Sequence, residues 1–252
     1  MDTDLFRQQR DNIKRLLAAG IGCAPNDLER DQLAIVDRPH VNAWYAATAV
    51  RFGVGAVVSV EPRFRSYVER HVPSPYFHAL RPELLQRMAD DCSTASETLT
   101  YHPPSICWGI SEMPARHSQP SGHRLELVGR DWMNERLGQP GWLNGIGSEA
   151  TARQLRNQFA FAVFDRDDSL AAVGGVFLTY GLHEIGVDVA PEYRGKGYGT
   201  LVVRTACREI LERGETPLYG CAADNIRSQR TALTSGFLPV YSEATVTVAT
   251  LK

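Results

Sequence analysis

The segment Val187-Asp188-Val189-Ala190-Pro191-Glu192-Tyr193-Arg194-Gly195-Lys196-Gly197-Tyr198-Gly199 puts three glycines and two cations at the point where an apolar strand gives way to an amphipathic helix. A helix that starts there leaves several main-chain N–H groups without internal partners. Its dipole adds partial positive charge, so the backbone itself can bind an anion. Glycine lets phosphate oxygens come close, and Gly195, Gly197 and Gly199 are expected to take the angles of a nest. Arg194 and Lys196 add two full charges, so the bound group should carry more than one negative charge. A nucleotide-hydrolysing loop of the G-x-x-x-x-G-K-[ST] type is unsupported, because the lysine here lies between glycines. A dinucleotide fingerprint fails as well, since Gly195-Lys196-Gly197-Tyr198-Gly199-Thr200 lacks the third glycine and follows no parallel βαβ repeat.

Periodicity supplies the elements that must hold this turn. His123–Val128 alternates like a half-buried strand, and Asp131–Leu137 and Ser148–Asn157 read as short helices. Phe159–Phe164, Leu170–Thr179 and His183–Val189 read as an antiparallel meander, its second turn at Tyr180-Gly181-Leu182. The helix Tyr198–Arg213 stripes Val202, Val203, Ala206, Cys207 and Ile210, and Gly214 stops it. A strand Leu218–Ala222, a helix Ile226–Thr234 and a last strand Ala244–Leu251 complete this half. Earlier in the chain, residues 4 to 18 form an amphipathic helix, Asn42 caps a helix through Arg51, Val54–Val60 is a buried strand, and Glu61–His71 and Pro82–Cys92 are helical. The polar turn-rich stretch Pro114–Gly122 is the expected boundary, giving domains at 1–115 and 120–252.

Lys and Arg total 27 against 29 Asp and Glu in 252 residues, a net charge of -2, so no general basic field exists to hold nucleic acid. No stretch reaches the roughly 20 apolar residues of a membrane span, and the N-terminus lacks the apolar core of a secretion signal. The five cysteines are widely spaced and never in a C-x-x-C pair, which suggests no disulfide framework and no structural zinc. The seven histidines are scattered, so no metal is expected. A cytoplasmic setting fits these features.

Arg194, Gly197 and Gly199 resemble the Arg/Gln-x-x-Gly-x-Gly/Ala signature of the GNAT superfamily of N-acetyltransferases, with Val189, Pro191 and Gly195 matching its flanks. The second half of the pattern is a strand, Asn, a short helix and Gly-Phe, read here as Leu218–Ala222, Asn225, Ser228 and Gly236-Phe237. The resemblance covers roughly residues 120 to 252 and implies a mixed, mainly antiparallel α/β sheet flanked by helices, with acetyl-CoA as donor and no metal. A smaller N-terminal α/β domain precedes it. The resemblance implies that the diphosphate sits on Arg194, Gly195, Lys196, Gly197, Tyr198 and Gly199. It also implies that the pantetheine arm pairs with Val187 and Val189 where two strands splay, that the Val189 N–H polarises the thioester carbonyl, and that Asn225 bonds the arm. The tail Ser228, Ala232, Gly236-Phe237 further resembles the bacterial zwittermicin-resistance acetyltransferases.

Attack by an amine needs a base, because an alkylamine is mostly protonated at neutral pH. Glu184 opens the strand before the loop and is the first candidate; the blander reading is a solvated strand glutamate. His183 is the second, since its ring titrates near neutrality. Strict alternation puts the two on opposite faces, but the family's bulge in this strand is expected to spoil that count. Asp188 is either a substrate contact or an edge charge. Where many relatives carry a tyrosine acid, this chain has Ala232, so Ser228 is the available hydroxyl to assist the leaving sulfur, unless it only caps its helix. Cys221 reads as a buried small residue rather than a nucleophile. Tyr193 and Tyr198 either line the coenzyme or cover the sheet edge. Trp44, Tyr45, Tyr76, Phe77, Trp108, Trp132 and Trp142 are candidates for a pocket or for core.

The expected activity is acetyl transfer from acetyl-CoA to a primary amine of a small molecule, with neither nucleic acid nor membrane as partner. Residues 1–115 either wall the acceptor pocket, form a homodimer surface or repeat the fold in degenerate form. The rival readings are a non-catalytic coenzyme A sensor and a protein or peptide acetyltransferase.

Overall fold

The computed structural model describes residues 2–39, 45–72, 82–116, 121–148 and 156–250. Two compact units emerge, and they do not follow chain order. One comprises Met1–Ile13, Trp108–Gly220 and Ile226–Leu238; the other comprises Lys14–Cys107, Cys221–Asn225 and Pro239–Lys252. Among the described residues no helix is long and apolar enough to cross a membrane.

In the first unit the strands β5 (Arg124–Gly129), β6 (Arg156–Phe164), β7 (Leu170–Thr179), β8 (Leu182–Val189) and β9 (Pro217–Ala222) lie in the order β9-β8-β7-β6-β5. The pairs β5/β6, β6/β7 and β7/β8 are antiparallel, while β8 and β9 run parallel. The expected meander is therefore present, and its β7–β8 turn is tight because Tyr180 and Gly181 take φ of 50° and 79°. One face of this sheet carries the helix Tyr198–Glu212, whose Leu201 and Val202 pack on Val163, Ala171 and Ala172. Gly174 permits that approach, for a Cβ there would come within 3.0 Å of the Val202 side chain. Other apolar side chains of the sheet, Ala160, Ala162, Val173 and Phe177, pack with Met133 of the helix Arg130–Asn134 and with Ile146.

The second unit holds β1 (Leu33–Asp37), β2 (Tyr45–Phe52) and β3 (Gly55–Val60) and most of β4 (Glu97–Ile110) and β10 (Phe237–Thr250), in the order β1-β3-β2-β10-β4. Helices Arg65–His71 and Pro82–Cys92 cover it, their Val68, Leu84, Leu85 and Met88 meeting Ala47, Ala49, Val58 and Val60. This is an α/β arrangement, as expected for the chain's first half.

The expected helix from Asn42 to Arg51 is instead strand β2 from Tyr45 onward; Asn42 lies outside the described residues. Residues 46 to 50 are all buried, with no polar stripe to face water. Pairing with β3 on one side and β10 on the other satisfies their backbone. Strand β10 begins at Phe237, earlier than expected, although Pro239 interrupts its donors. Of the expected helix Ser148–Asn157, residues 149–155 lie outside the described residues, and Arg156 and Asn157 already belong to β6. Residues 117–120 of the expected boundary, and Trp44, Tyr76 and Phe77, also lie outside them.

Candidate active site

The parity of β8 decides which of its groups can meet a ligand. The Ala190 N–H donates to the Ala171 carbonyl at 2.9 Å, so the even-numbered residues of β8 direct their backbone groups toward β7. The His183 N–H donates to the Thr216 carbonyl at 3.0 Å, so residues 183, 185, 187 and 189 direct theirs toward β9. Pairing with β9, however, runs only from His183/Pro217 to Ile185/Tyr219. Beyond that point the strands part, and the backbones of Val187 and Val189 face an edge on which, among the described residues, no strand pairs. The Val189 carbonyl accepts from Arg194 Nε at 3.1 Å, which ties the following loop to the same edge.

That loop is a short 3-10 turn, Pro191–Tyr193, followed by Gly195 at φ 73° and Gly197 at φ 87°. Both angles are left-handed, and a Cβ on either glycine would meet nothing within 4 Å, so open space lies against the main chain. Gly197 is the N-cap of the helix Tyr198–Glu212 and supplies no capping side chain. Gly199 does not take the nest angles expected of it: it lies inside the helix, where its missing side chain seats the first turn on Val189, 3.4 Å from the position of a Cβ.

Lys196 Nζ stands 5.4 Å from the centre of the Tyr193 ring. The Tyr193 hydroxyl donates to Asp165 at 2.7 Å, which pushes its pKa up to about 12, and the Tyr198 hydroxyl lies 3.0 Å from His123 Nε2. The two tyrosine rings meet edge-on at 5.6 Å. These side chains thus form an aromatic cover with His123, while the Tyr198 N–H belongs to the first turn of the helix.

Glu184 lies on the other face of β8. Its Oε1 would be only 2.6 Å from a Cβ on Gly220, so the absence of a side chain at 220 makes room for the carboxyl. The residue keeps some exposure, yet protein atoms hem in the carboxyl, and this desolvation lifts its pKa above the ordinary carboxylate range. No bulge interrupts the β7/β8 register from Ala172/Val189 to Thr179/Leu182, contrary to expectation, so His183 points away from Glu184. His183 Nδ1 lies 3.8 Å from Glu215. Burial lowers its pKa, which the carboxylate of Glu215 opposes and Arg213 reinforces.

Asp188 has a role that sequence reasoning missed. Its carboxylate accepts from the Asn144 N–H at 2.7 Å, from Asn144 Nδ2 at 2.8 Å and from the Gly145 N–H at 2.8 Å. Two glycines complete the seat, since a methyl at Gly175 would fall on the Gly145 carbonyl oxygen and one at Gly186 on that of Asn144. Asp188 is therefore the anchor of this loop. Asp188→Ala is expected to cost about 1–3 kcal/mol in urea denaturation, because charge-assisted bonds to two main-chain donors are lost. An unchanged midpoint would argue that the loop is held by packing alone.

On the helix Ile226–Thr234, Ser228 Oγ lies 2.8 Å from the hydroxyl of Tyr219, a β9 residue only 1% exposed. Ala232, one turn further along, is fully buried. Asn225 precedes this helix in the second unit, its N–H donating to the Ala222 carbonyl at 3.0 Å. Cys221 is buried, and none of the five cysteines, all among the described residues, forms a disulfide. Among the described residues no three His, Cys, Asp or Glu side chains gather as a metal site.

The model of the Acetyltransferase (GNAT) family matches residues 129–237. No curated protein sequence matches significantly. Among solved structures, a GNAT-family protein from Novosphingobium aromaticivorans DSM 12444 is 20% identical, with 68% of this chain and 82% of that one covered and a TM-score of 0.48. A GCN5-related N-acetyltransferase-like protein from Streptococcus suis 89/1591 is 13% identical over 77% of this chain and 79% of its own, with a TM-score of 0.46. The glycine turn, the parted strands and Glu184 all fall inside the stretch that the family model covers. Residues 129–237 are thus an acetyltransferase domain of the GNAT family, and the protein is an acyltransferase.

Proposed function

We propose that the protein transfers an acetyl group from acetyl-CoA to a primary amine of a small molecule by direct attack. GNAT enzymes use acetyl-CoA as donor in general. The observation that carries the reading for this chain is the parting of β8 from β9 after Ile185, which leaves the odd-numbered backbone groups of Val187 and Val189 facing an open edge. An extended arm bearing amides fits such an edge as an added strand would. The turn at Gly195 and Gly197 opens main-chain space at a helix N-terminus beside Arg194 and Lys196, which suits a diphosphate.

When bound, the coenzyme supplies an activated acyl group. The chain's own residues would do the rest. Glu184, its carboxyl made more basic by desolvation, would take the proton of the incoming amine. The Val189 N–H would donate to the oxygen on which negative charge develops. His183 has no part in this scheme, since it points to the opposite face. We place the protein in the cytoplasm, and the kinship with zwittermicin-resistance enzymes belongs to the same proposal.

A thiol-release assay with acetyl-CoA and a panel of small amines tests the reading. Release that depends on one class of amine supports it. Tight coenzyme binding without release on any acceptor would replace it with a sensor, and release only with peptides would move the acceptor to a protein.

A further inference from the structure

Two glycines with left-handed angles make the turn from Arg194 to Gly197 intrinsically loose, since glycine takes φ of either sign about as readily. A loose turn must be ordered whenever it binds, and that ordering weakens binding. Here the turn is bracketed by two tyrosines whose hydroxyls are tied to other elements of the same unit. Tyr193 closes the 3-10 turn before it, and Tyr198 opens the helix after it. Tyr193 reaches the turn between β6 and β7, where Asp165 is itself held fast. Asp165 Oδ1 accepts from the Asp167 and Ser169 N–H groups, each at 2.9 Å, which leaves Oδ2 to accept from the Tyr193 hydroxyl at 2.7 Å. These donors, Tyr193 foremost, keep the Asp165 carboxyl below the ordinary carboxylate range, so it is ionised at neutral pH. Tyr198 reaches the residue just ahead of β5. His123 Nδ1 lies 3.1 Å from the Ser121 carbonyl, to which only an N–H can donate, so in the neutral ring Nε2 accepts from the Tyr198 hydroxyl. The two ties also meet each other, for the His123 ring stands edge-on to Tyr193 at 5.6 Å and tilted against Tyr198 at 5.0 Å. Lys196 depends on the first tie. Its ammonium lies over the Tyr193 ring, and a phenol that donates to a carboxylate presents a more electron-rich face to a cation.

We infer that Asp165 is a positioning residue for the coenzyme: through the Tyr193 hydroxyl it holds the glycine turn in its binding shape before the ligand arrives and sets Lys196 beside the diphosphate. This role rests on the acetyl-CoA reading above. Asp165 touches neither coenzyme nor acceptor, and no proton moves through it, so its contribution falls on affinity for the coenzyme and not on the chemical step. Tyr193 and Tyr198 also pack with Leu125, Val187 and Val189. Packing alone is therefore the rival account of how the turn is held, and Tyr193→Phe separates the two, because it keeps the ring and its packing and removes only the hydroxyl.

The test measures calorimetric binding of coenzyme A and steady-state transfer from acetyl-CoA in the full chain, for Tyr193→Phe, Asp165→Ala, Asp165→Asn and the Asp165→Ala/Tyr193→Phe double variant. If the competent turn falls to roughly a tenth of the population once the tie is cut, the apparent Kd rises about tenfold. Tyr193→Phe and Asp165→Ala should each raise Kd for coenzyme A and KM for acetyl-CoA by that factor, with kcat at saturating acetyl-CoA within about twofold of the parent. The double variant should bind no more weakly than Asp165→Ala, because one residue acts through the other. Asp165→Asn keeps the contact without the charge and should fall between the parent and Asp165→Ala. Parental affinity in Tyr193→Phe would overturn the role of Asp165, leaving packing to hold the turn and the acetyl-transfer reading untouched. A fall in kcat with unchanged KM would overturn it equally. A parent that binds coenzyme A yet releases no thiol on any acceptor would overturn acetyl transfer and not the tie, and a parent that binds no coenzyme A would overturn both.

Discussion

Glu184→Gln is expected to lower kcat about 10²- to 10⁴-fold, the usual contribution of a positioned base, while the protein becomes no less stable at neutral pH. The two effects have one cause. Folding surrounds the carboxyl with protein and raises its pKa, so the folded state holds that proton more tightly than the unfolded chain does. A group shifted upward lends its stability in full below the unfolded-state pKa and loses it as pH rises through the folded-state value. The wild type therefore bears the cost of an ionised, poorly hydrated carboxylate in the upper part of that range, and glutamine, of nearly the same shape, does not. Thermal melts at several pH values should show the variant gaining on the parent as pH rises from the ordinary carboxylate range, with the gap closing in acid. The parent's activity should rise with pH along a limb centred above the ordinary carboxylate range, and the variant should lack that limb. A variant with the parental rate and profile would remove Glu184 from the mechanism.

Gly197→Glu should abolish binding of acetyl-CoA without unfolding the domain. At φ 87° any side chain is strained, at a cost of about 1–2 kcal/mol. The added Cβ meets nothing within 4 Å, so no internal clash follows. A carboxylate at a helix N-terminus also interacts favourably with the dipole, by about 0.3–1 kcal/mol, which offsets part of the strain. The same charge and bulk occupy the space proposed for the diphosphate. Acetyl-CoA at about a hundred times its dissociation constant stabilises a binding-competent fold by about 2.7 kcal/mol, an increment that the variant should lack. Equal upward shifts of Tm in both proteins would place the diphosphate elsewhere.

The parts of this site that can be read in the sequence are those encoded by neighbours along the chain. Gly195 and Gly197 announce left-handed turns, Tyr180-Gly181 announces a hairpin, and the stripe from Val202 to Ile210 announces a helix with one buried face. What escapes is whatever depends on distant partners. The stretch from Asn42 to Arg51 reads as a helix until β10 is known to lie beside its described part, and then the burial of every residue from 46 to 50 has its reason. Asp188 reads as a substrate contact or an edge charge because its donors lie 44 residues away in the chain, at Asn144. Nothing singles out Tyr219 within the strand Leu218–Ala222, since only the docking of the next helix brings Ser228 to its hydroxyl. Glu184 already ranks ahead of His183 in the sequence, but only the unbroken register of β8 assigns each a face, because an expected bulge spoiled the count.

The loop at Asn144–Gly145 is fixed by main-chain oxygens pressed into side-chain-free positions of β7 and β8 and by one carboxylate gripping its amides. Frame and decoration are thereby uncoupled. The neighbouring Leu143, 49% exposed, can be exchanged for other bulky or polar groups while the scaffold keeps its path, whereas Trp142 packs against the core. A saturation library across this stretch should accordingly tolerate variety at 143 and almost none at 175, 186 and 188, so that the loop's exposed chemistry can drift between descendants while the strands beneath it stay unaltered.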